Sequence, residues 1–160
     1  MPTMHALTQL LEHERRARDA ALLGLRDAEG SASHADTQAN QLDSYRSEYV
    51  ERWSTRFRTE AGSVALMQCY QGFMQRLELA ITQQRTAVQM AQVRLEQARR
   101  TLQDNERRVA SVEKLIQRRE QQAQQHAARR EQASTDETAM RAFARHSEPL
   151  PATEHGELPR

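Results

Sequence analysis

The chain has 160 residues, a net charge of +1, a mean hydropathy of −0.89, 38% hydrophobic residues and only 4% aromatic ones. So little bulky apolar material excludes a rounded globule with a thick core, and near-zero charge counts against a general nucleic-acid binder. Proline stands only at Pro2, Pro149, Pro151 and Pro159, so residues 3–148 contain nothing that must break a helix, and an all-α body follows.

The first predicted element covers about residues 4–58. Its apolar stripe is Leu7, Leu11, Ala21, Leu25, Ala28, Ala32, Ala35, Ala39, Leu42, Tyr49 and Trp53, with Glu14, Arg18, Arg46 and Arg56 as polar interruptions. Gly24 and the Gly30-Ser31-Ala32-Ser33 stretch weaken it by roughly 0.5–1 kcal/mol per Gly relative to Ala, so a bend or frayed section is expected there. A turn at about 59–63 follows, where Gly62 suits a left-handed helix end and Ser63 an N-cap. A connection this short makes the flanking helices antiparallel neighbours.

The second helix is predicted over about 64–145. Apolar residues recur at steps of three and four: Met67, Tyr70, Met74, Leu77, Ile81, Val88, Ala91, Leu95, Ala98, Leu102, Val109, Val112 and Ile116, interrupted by Gln84 and Asn105. A mean spacing of about 3.5 residues is the signature of a coiled-coil seam, which keeps one narrow stripe facing a partner helix. The expected fold is therefore all-α: two long helices forming an antiparallel coiled-coil hairpin over 3–146. Beyond Ile116 the second helix should overhang its partner, and residues 147–160, rich in Pro and polar residues, read as a disordered tail. Ser134-Thr135-Asp136-Glu137 has capping-box spacing, so it either restarts a short helix carrying Met140 and Phe143 or lies within one long helix.

The register is legible by comparing the stripes. If facing residues carry numbers summing to 123, Trp53 meets Tyr70, Tyr49 meets Met74, Leu42 meets Ile81 and Ala28 meets Leu95, while the polar Arg18 and Asn105 share a layer. Sliding one heptad sets Arg18 on Ala98, Glu14 on Leu102 and Leu11 on Asn105, each burying a polar group beside an apolar one at a cost of ~1–3 kcal/mol. The first register wins. It predicts flanking ion pairs Asp36–Arg85 and Arg15–Glu106 and a like-charged pair Asp43–Glu78. Gln84 and Asn105 are read as seam residues that fix register.

No catalytic constellation, metal site or cofactor site is expected. The six His residues form no compact ligand spacing with acids or Cys, and no Gly-rich phosphate loop is present. Cys69 is alone and off the seam, which points to a reducing compartment. The N-terminus lacks the apolar run of a signal peptide, and no segment approaches the ~20 apolar residues of a membrane span. A cytoplasmic protein, peripheral to the membrane through partners, is the expectation. Arg94–Arg130 holds ten basic and five acidic residues, a solvated helix surface or a docking face for an acidic partner.

One patch exceeds structural need. Tyr45 and Phe73 both fall in the row just before the seam, and in an antiparallel pair these rows share a side. Gln38, Tyr45, Phe73 and Ala80 therefore line one edge, backed by Leu42, Tyr49 and Leu77. Aromatics on an exposed edge suggest a binding surface.

At these residues the chain resembles the FliJ family of the bacterial flagellar type III export apparatus. Three blocks carry the resemblance: Gln41-Leu42-Asp43-Ser44-Tyr45-Arg46-Ser47-Glu48-Tyr49; Tyr70-Gln71-Gly72-Phe73-Met74-Gln75-Arg76-Leu77 with Ala80-Ile81 and Gln83-Gln84; and Arg129-Arg130-Glu131-Gln132 with Asp136-Glu137. The resemblance implies a non-enzymatic regulator that binds the export ATPase FliI and promotes its ring assembly. It also implies contact with the cytoplasmic domain of the export gate protein FlhA, and a role in export-chaperone exchange, with no nucleic acid involved. Gate contact carries over to Gln38, Leu42, Tyr45, Tyr49, Phe73, Leu77, Ala80 and Gln84. ATPase contact is placed on Arg107, Arg108, Arg118 and Arg119, at the hairpin end carrying both termini. The competing readings are a stalk protein of a virulence secretion ATPase, whose relatives generally lack the Leu-x-x-Tyr-x-x-Glu-Tyr block, and a generic Arg-rich helical scaffold.

Overall fold

A computed structural model of the chain describes residues 2–59 and 63–147. Among these there are two helices and no strand: α1, Met4–Thr59, and α2, Val64–His146. The turn residue Gly62 and all of the tail but Ser147 lie outside the described residues. The chain divides into two compact units, one ending at Glu113 and the other beginning at Lys114.

Both helices open on a hydroxyl cap. Thr3 Oγ1 accepts from the Ala6 amide (3.2 Å), and Ser63 Oγ accepts from the Leu66 amide (3.1 Å), so each satisfies one of the amides a helix start leaves unpaired. Arg56 and Arg58 close the last turn of α1, where positive charge complements the helix dipole. The helix runs unbroken through Gly24 and the Gly30–Ser33 stretch, so of the expected bend or frayed section the fraying is absent. Ala32 and Ala35 are buried there, and packing on α2 compensates for the weak local propensity.

In the first unit α1 and α2 pack antiparallel along the seam. One contiguous core joins Ala32, Ala35, Ala91 and Leu95, with Leu25, Ala28 and Val88 against it. These partners, like Trp53 with Tyr70, fall on the register in which facing numbers sum to 123. Leu77 and Ile81 are buried nearer the turn, and Leu7, Val109 and Val112 farther from it. Arg18 and Asn105 are both half-buried, but Arg18 turns its guanidinium to Asp19 (2.8 Å).

Close to the turn the seam departs from the expected pattern. Phe57, not Arg56, packs inward against Trp53 and Tyr70, and Leu66 is half-buried while Met67 is exposed. Both replacements lengthen the last step from three to four. A helix of 3.6 residues per turn drifts past a 3.5-residue repeat, and at the end of a seam no further layer enforces the shorter period. Arg56 instead lies over the Trp53 ring, 5.4 Å from its centroid.

The flanking ion pairs also differ. Arg15 bonds Glu113 (2.8 Å), not Glu106, and Arg85 meets Asp43 (3.5 Å), not Asp36. Both shifts have one cause. Helical side chains lean toward their own N-terminus, which is away from the turn in α1 and toward it in α2. A side chain on α1 thus converges with one farther from the turn on α2 and diverges from one nearer to it. The like-charged Asp43 and Glu78 are bridged by Arg46, at 4.0 Å and 3.2 Å.

Within the second unit α2 continues as helix to His146 and passes through Ser134 without interruption, so the capping-box sequence lies inside one long helix. Thr138 returns its hydroxyl to the Ser134 carbonyl (2.8 Å), as helix-interior threonines do. Every described side chain after Arg119 is exposed, Met140 and Phe143 at 74% and 77%.

Candidate functional site

Six of the chain's seven aromatic residues form one connected group at the turn-proximal part of the hairpin. Tyr49 is its hub. The ring lies 4.1 Å from Phe73, stacks on Tyr70 at 6.0 Å and on Tyr45 at 6.3 Å, and meets Trp53 edge-on at 5.8 Å. Phe73 in turn meets Tyr45 edge-on at 6.2 Å. Spacings of this kind are worth about 0.5–1.5 kcal/mol per pair beyond area burial.

These rings are held, yet not covered. None of the six is fully buried, and Tyr45 stays 45% exposed. Two helices can close only one seam, so a row of large side chains beside it retains a wet face. Of the aliphatic residues assigned to this edge, Leu77 is buried and Leu42 and Ala80 are half-buried.

Away from the turn the edge turns polar. A surface groove of about 460 Å³ is lined by Gln38, Gln41, Leu42, Tyr45 and Gln84. Gln84 donates from Nε2 to the main-chain carbonyl of Ala35 across the seam (2.9 Å) and, more weakly, to Gln38 Oε1 (3.4 Å). The seam glutamine thus grips the opposite backbone directly, a contact that fixes the two helices against sliding. On the outer side of Tyr45, a second groove of about 450 Å³ is lined by Thr37, Asn40, Gln41, Ser44, Tyr45 and Glu48.

The residues assigned to gate contact therefore divide into an aromatic part, Tyr45, Tyr49 and Phe73, an amide part, Gln38 and Gln84 with Leu42, and the aliphatic Leu77 and Ala80, buried and half-buried. Sequence reasoning missed Phe57, which completes the aromatic group; its four-residue spacing from Trp53 was the available signal. It also missed Gln41, which lines both grooves. The arginines assigned to ATPase contact are surface residues. Arg107 is exposed 3.9 Å from Asp104, and Arg108 beside it is exposed; in the second unit Arg118 is exposed and Arg119 half-exposed.

Among the described residues no group of His, Cys, Asp or Glu could hold a metal ion, and no helix is long and apolar enough to cross a membrane. Cys69 is an exposed free thiol.

Fold and site together define an antiparallel coiled-coil hairpin with a single wet aromatic edge beside its turn. The family model of the flagellar FliJ protein matches residues 4–148, nearly the whole chain. The chain belongs to the FliJ family, whose members are non-enzymatic components of flagellar type III protein export. No curated protein and no solved structure gives a significant match.

Proposed function

We propose that this chain binds the flagellar export ATPase, promotes its ring assembly and activity, and docks on the cytoplasmic domain of the export gate to couple that gate to the energy for export. The aromatic edge supports the gate half of this reading. A hairpin needs its seam, but it does not need Tyr45 and Phe73 edge to face beside it with the Tyr45 ring in water, and a partly exposed aromatic cluster is the composition of an interface hot spot. Gln38, Leu42, Tyr45, Tyr49, Phe73, Leu77, Ala80 and Gln84 form this docking edge. The ATPase half rests on the arginines Arg107, Arg108, Arg118 and Arg119 as contacts for an acidic surface. Both partners hold the protein at the inner face of the cell membrane, with export chaperones as further partners and motility as the process served.

Steady-state ATP hydrolysis by the cognate export ATPase, titrated with this protein at fixed salt, tests the first half. Saturable stimulation with larger ATPase oligomers is expected, and absence of both stimulation and co-elution would remove it. Binding of the gate's cytoplasmic domain, compared between the native chain and Tyr45→Ala, tests the second: loss of affinity without loss of helicity is expected.

A further inference from the structure

We infer that within the docking edge Gln84 acts as a positioning residue, orienting the Gln38 carboxamide so that its NH2 faces outward as a donor for an acceptor oxygen on the docked gate segment; the inference rests on the gate-docking reading above.

The orientation follows from which atoms can donate and which can accept. The Ala35 main-chain oxygen can only accept, so the Gln84 atom 2.9 Å from it must be the NH2 group. That nitrogen can only donate, so the Gln38 atom 3.4 Å away must be the carbonyl oxygen. The chain of bonds leaves Gln38 Nε2 as the end group. No hydrogen bond among the described residues engages it, and Gln38 is exposed on the wall of the groove that holds Leu42 and Tyr45.

The chemistry of the occupant follows. The groove is lined by uncharged side chains only: three glutamines, a leucine and a tyrosine. A segment seated there places apolar side chains against Leu42 and Tyr45 and an uncharged oxygen, a main-chain carbonyl or a side-chain amide, on Gln38 Nε2. A carboxylate is disfavoured because no cation lines the groove to offset its desolvation. A donor in that place would face the Gln38 NH2 group and repel it.

The test is a double-mutant cycle on the full-length chain, measuring affinity for the gate's cytoplasmic domain and thermal unfolding in parallel. Gln38→Glu keeps an oxygen for Gln84 to bond and removes the outward donor. It is expected to leave the unfolding temperature unchanged and to weaken binding about tenfold, the cost of meeting an acceptor with an acceptor. Gln84→Leu frees Gln38 to rotate, and is expected to weaken binding a few-fold in the native background but not further in the Gln38→Glu background. A residue that acted only on hairpin stability would show the same loss in both. Native affinity for Gln38→Glu, with Tyr45→Ala still impaired, overturns the donor assignment and leaves the docking edge standing. Equal effects of Gln84→Leu in the two backgrounds overturn its positioning role. Native affinity for Tyr45→Ala as well removes the edge and the inference with it.

Discussion

Along a single seam the first unit holds its helices together in two different ways. Around Ala32, Ala35, Ala91 and Leu95 the facing side chains are small or paired small against large, and they are buried. Around Tyr45, Tyr49, Trp53, Tyr70 and Phe73 the side chains are the largest available, and not one is fully buried. The alanine layers spend little apolar surface and hide nearly all of it. The aromatic layers contain far more surface than the seam can hide. Buried packing and partly exposed aromatic surface in this way fall on different stretches of the same pair of helices, and substitutions should separate their effects on stability.

Leu95→Ala is the harshest test of the alanine layers. Leu95 is 7% exposed and is the one large buried side chain of a core whose other buried members are alanines, with only Leu25 and Val88 as larger neighbours. A loss of about 2–4 kcal/mol is expected in urea unfolding followed by helical circular dichroism. Tyr45→Ala should cost less than about 1 kcal/mol in the same measurement, since its ring is partly in water already. A larger loss for Tyr45 than for Leu95 would reverse the division of labour.

The alanine layers should be as intolerant of added volume as of removed volume. Ala35 is 9% exposed with Val88 packed against its cluster, and its main-chain oxygen carries the Gln84 bond. Ala35→Leu would push α1 and α2 apart at that level, at about 1–3 kcal/mol, and should lengthen the Gln84 contact. Unchanged stability would mean that the close approach of the helices there is not set by the alanines.

Most of the hairpin was legible in the sequence because a coiled coil is nearly one-dimensional. The stripes gave the helices, the mismatch penalty on Arg18, Glu14 and Leu11 gave the register, and Tyr45 with Phe73 gave the edge. What escaped was whatever depends on side-chain direction or on end effects. Phe57 and Leu66 replaced Arg56 and Met67 because the heptad loses its hold where the seam stops. The acceptor for Gln84 could not be read at all, since a main-chain carbonyl carries no side-chain signal. Gly24 and Gly30 misled for a different reason: local propensity argued for fraying, and seam burial on either side overrode it.

Those two glycines give a prediction in the stabilising direction. A Cβ at Gly24 or Gly30 meets nothing within 4 Å, so neither is required by a close approach. Gly24→Ala and Gly30→Ala should each stabilise the hairpin by about 0.5–1 kcal/mol by restricting the unfolded chain and favouring helix. Slower amide exchange along α1 would be the accompanying sign. Destabilisation by either would show that flexibility there is not merely tolerated.

The smallest expected effect checks the rule that corrected the ion pairs. Arg15 and Glu113 are both about half-exposed, so their bond contributes only some tenths of a kcal/mol and should fade as salt is raised through the Debye regime. Glu113→Gln should therefore lower stability slightly at low salt and not at 1 M, whereas Glu106→Gln should do nothing at either, because its side chain leans away from Arg15 toward the turn. If Glu106→Gln were the variant that lost stability, the direction of lean would not govern partner choice in this hairpin, and the convergence of Arg85 on Asp43 would need a separate cause.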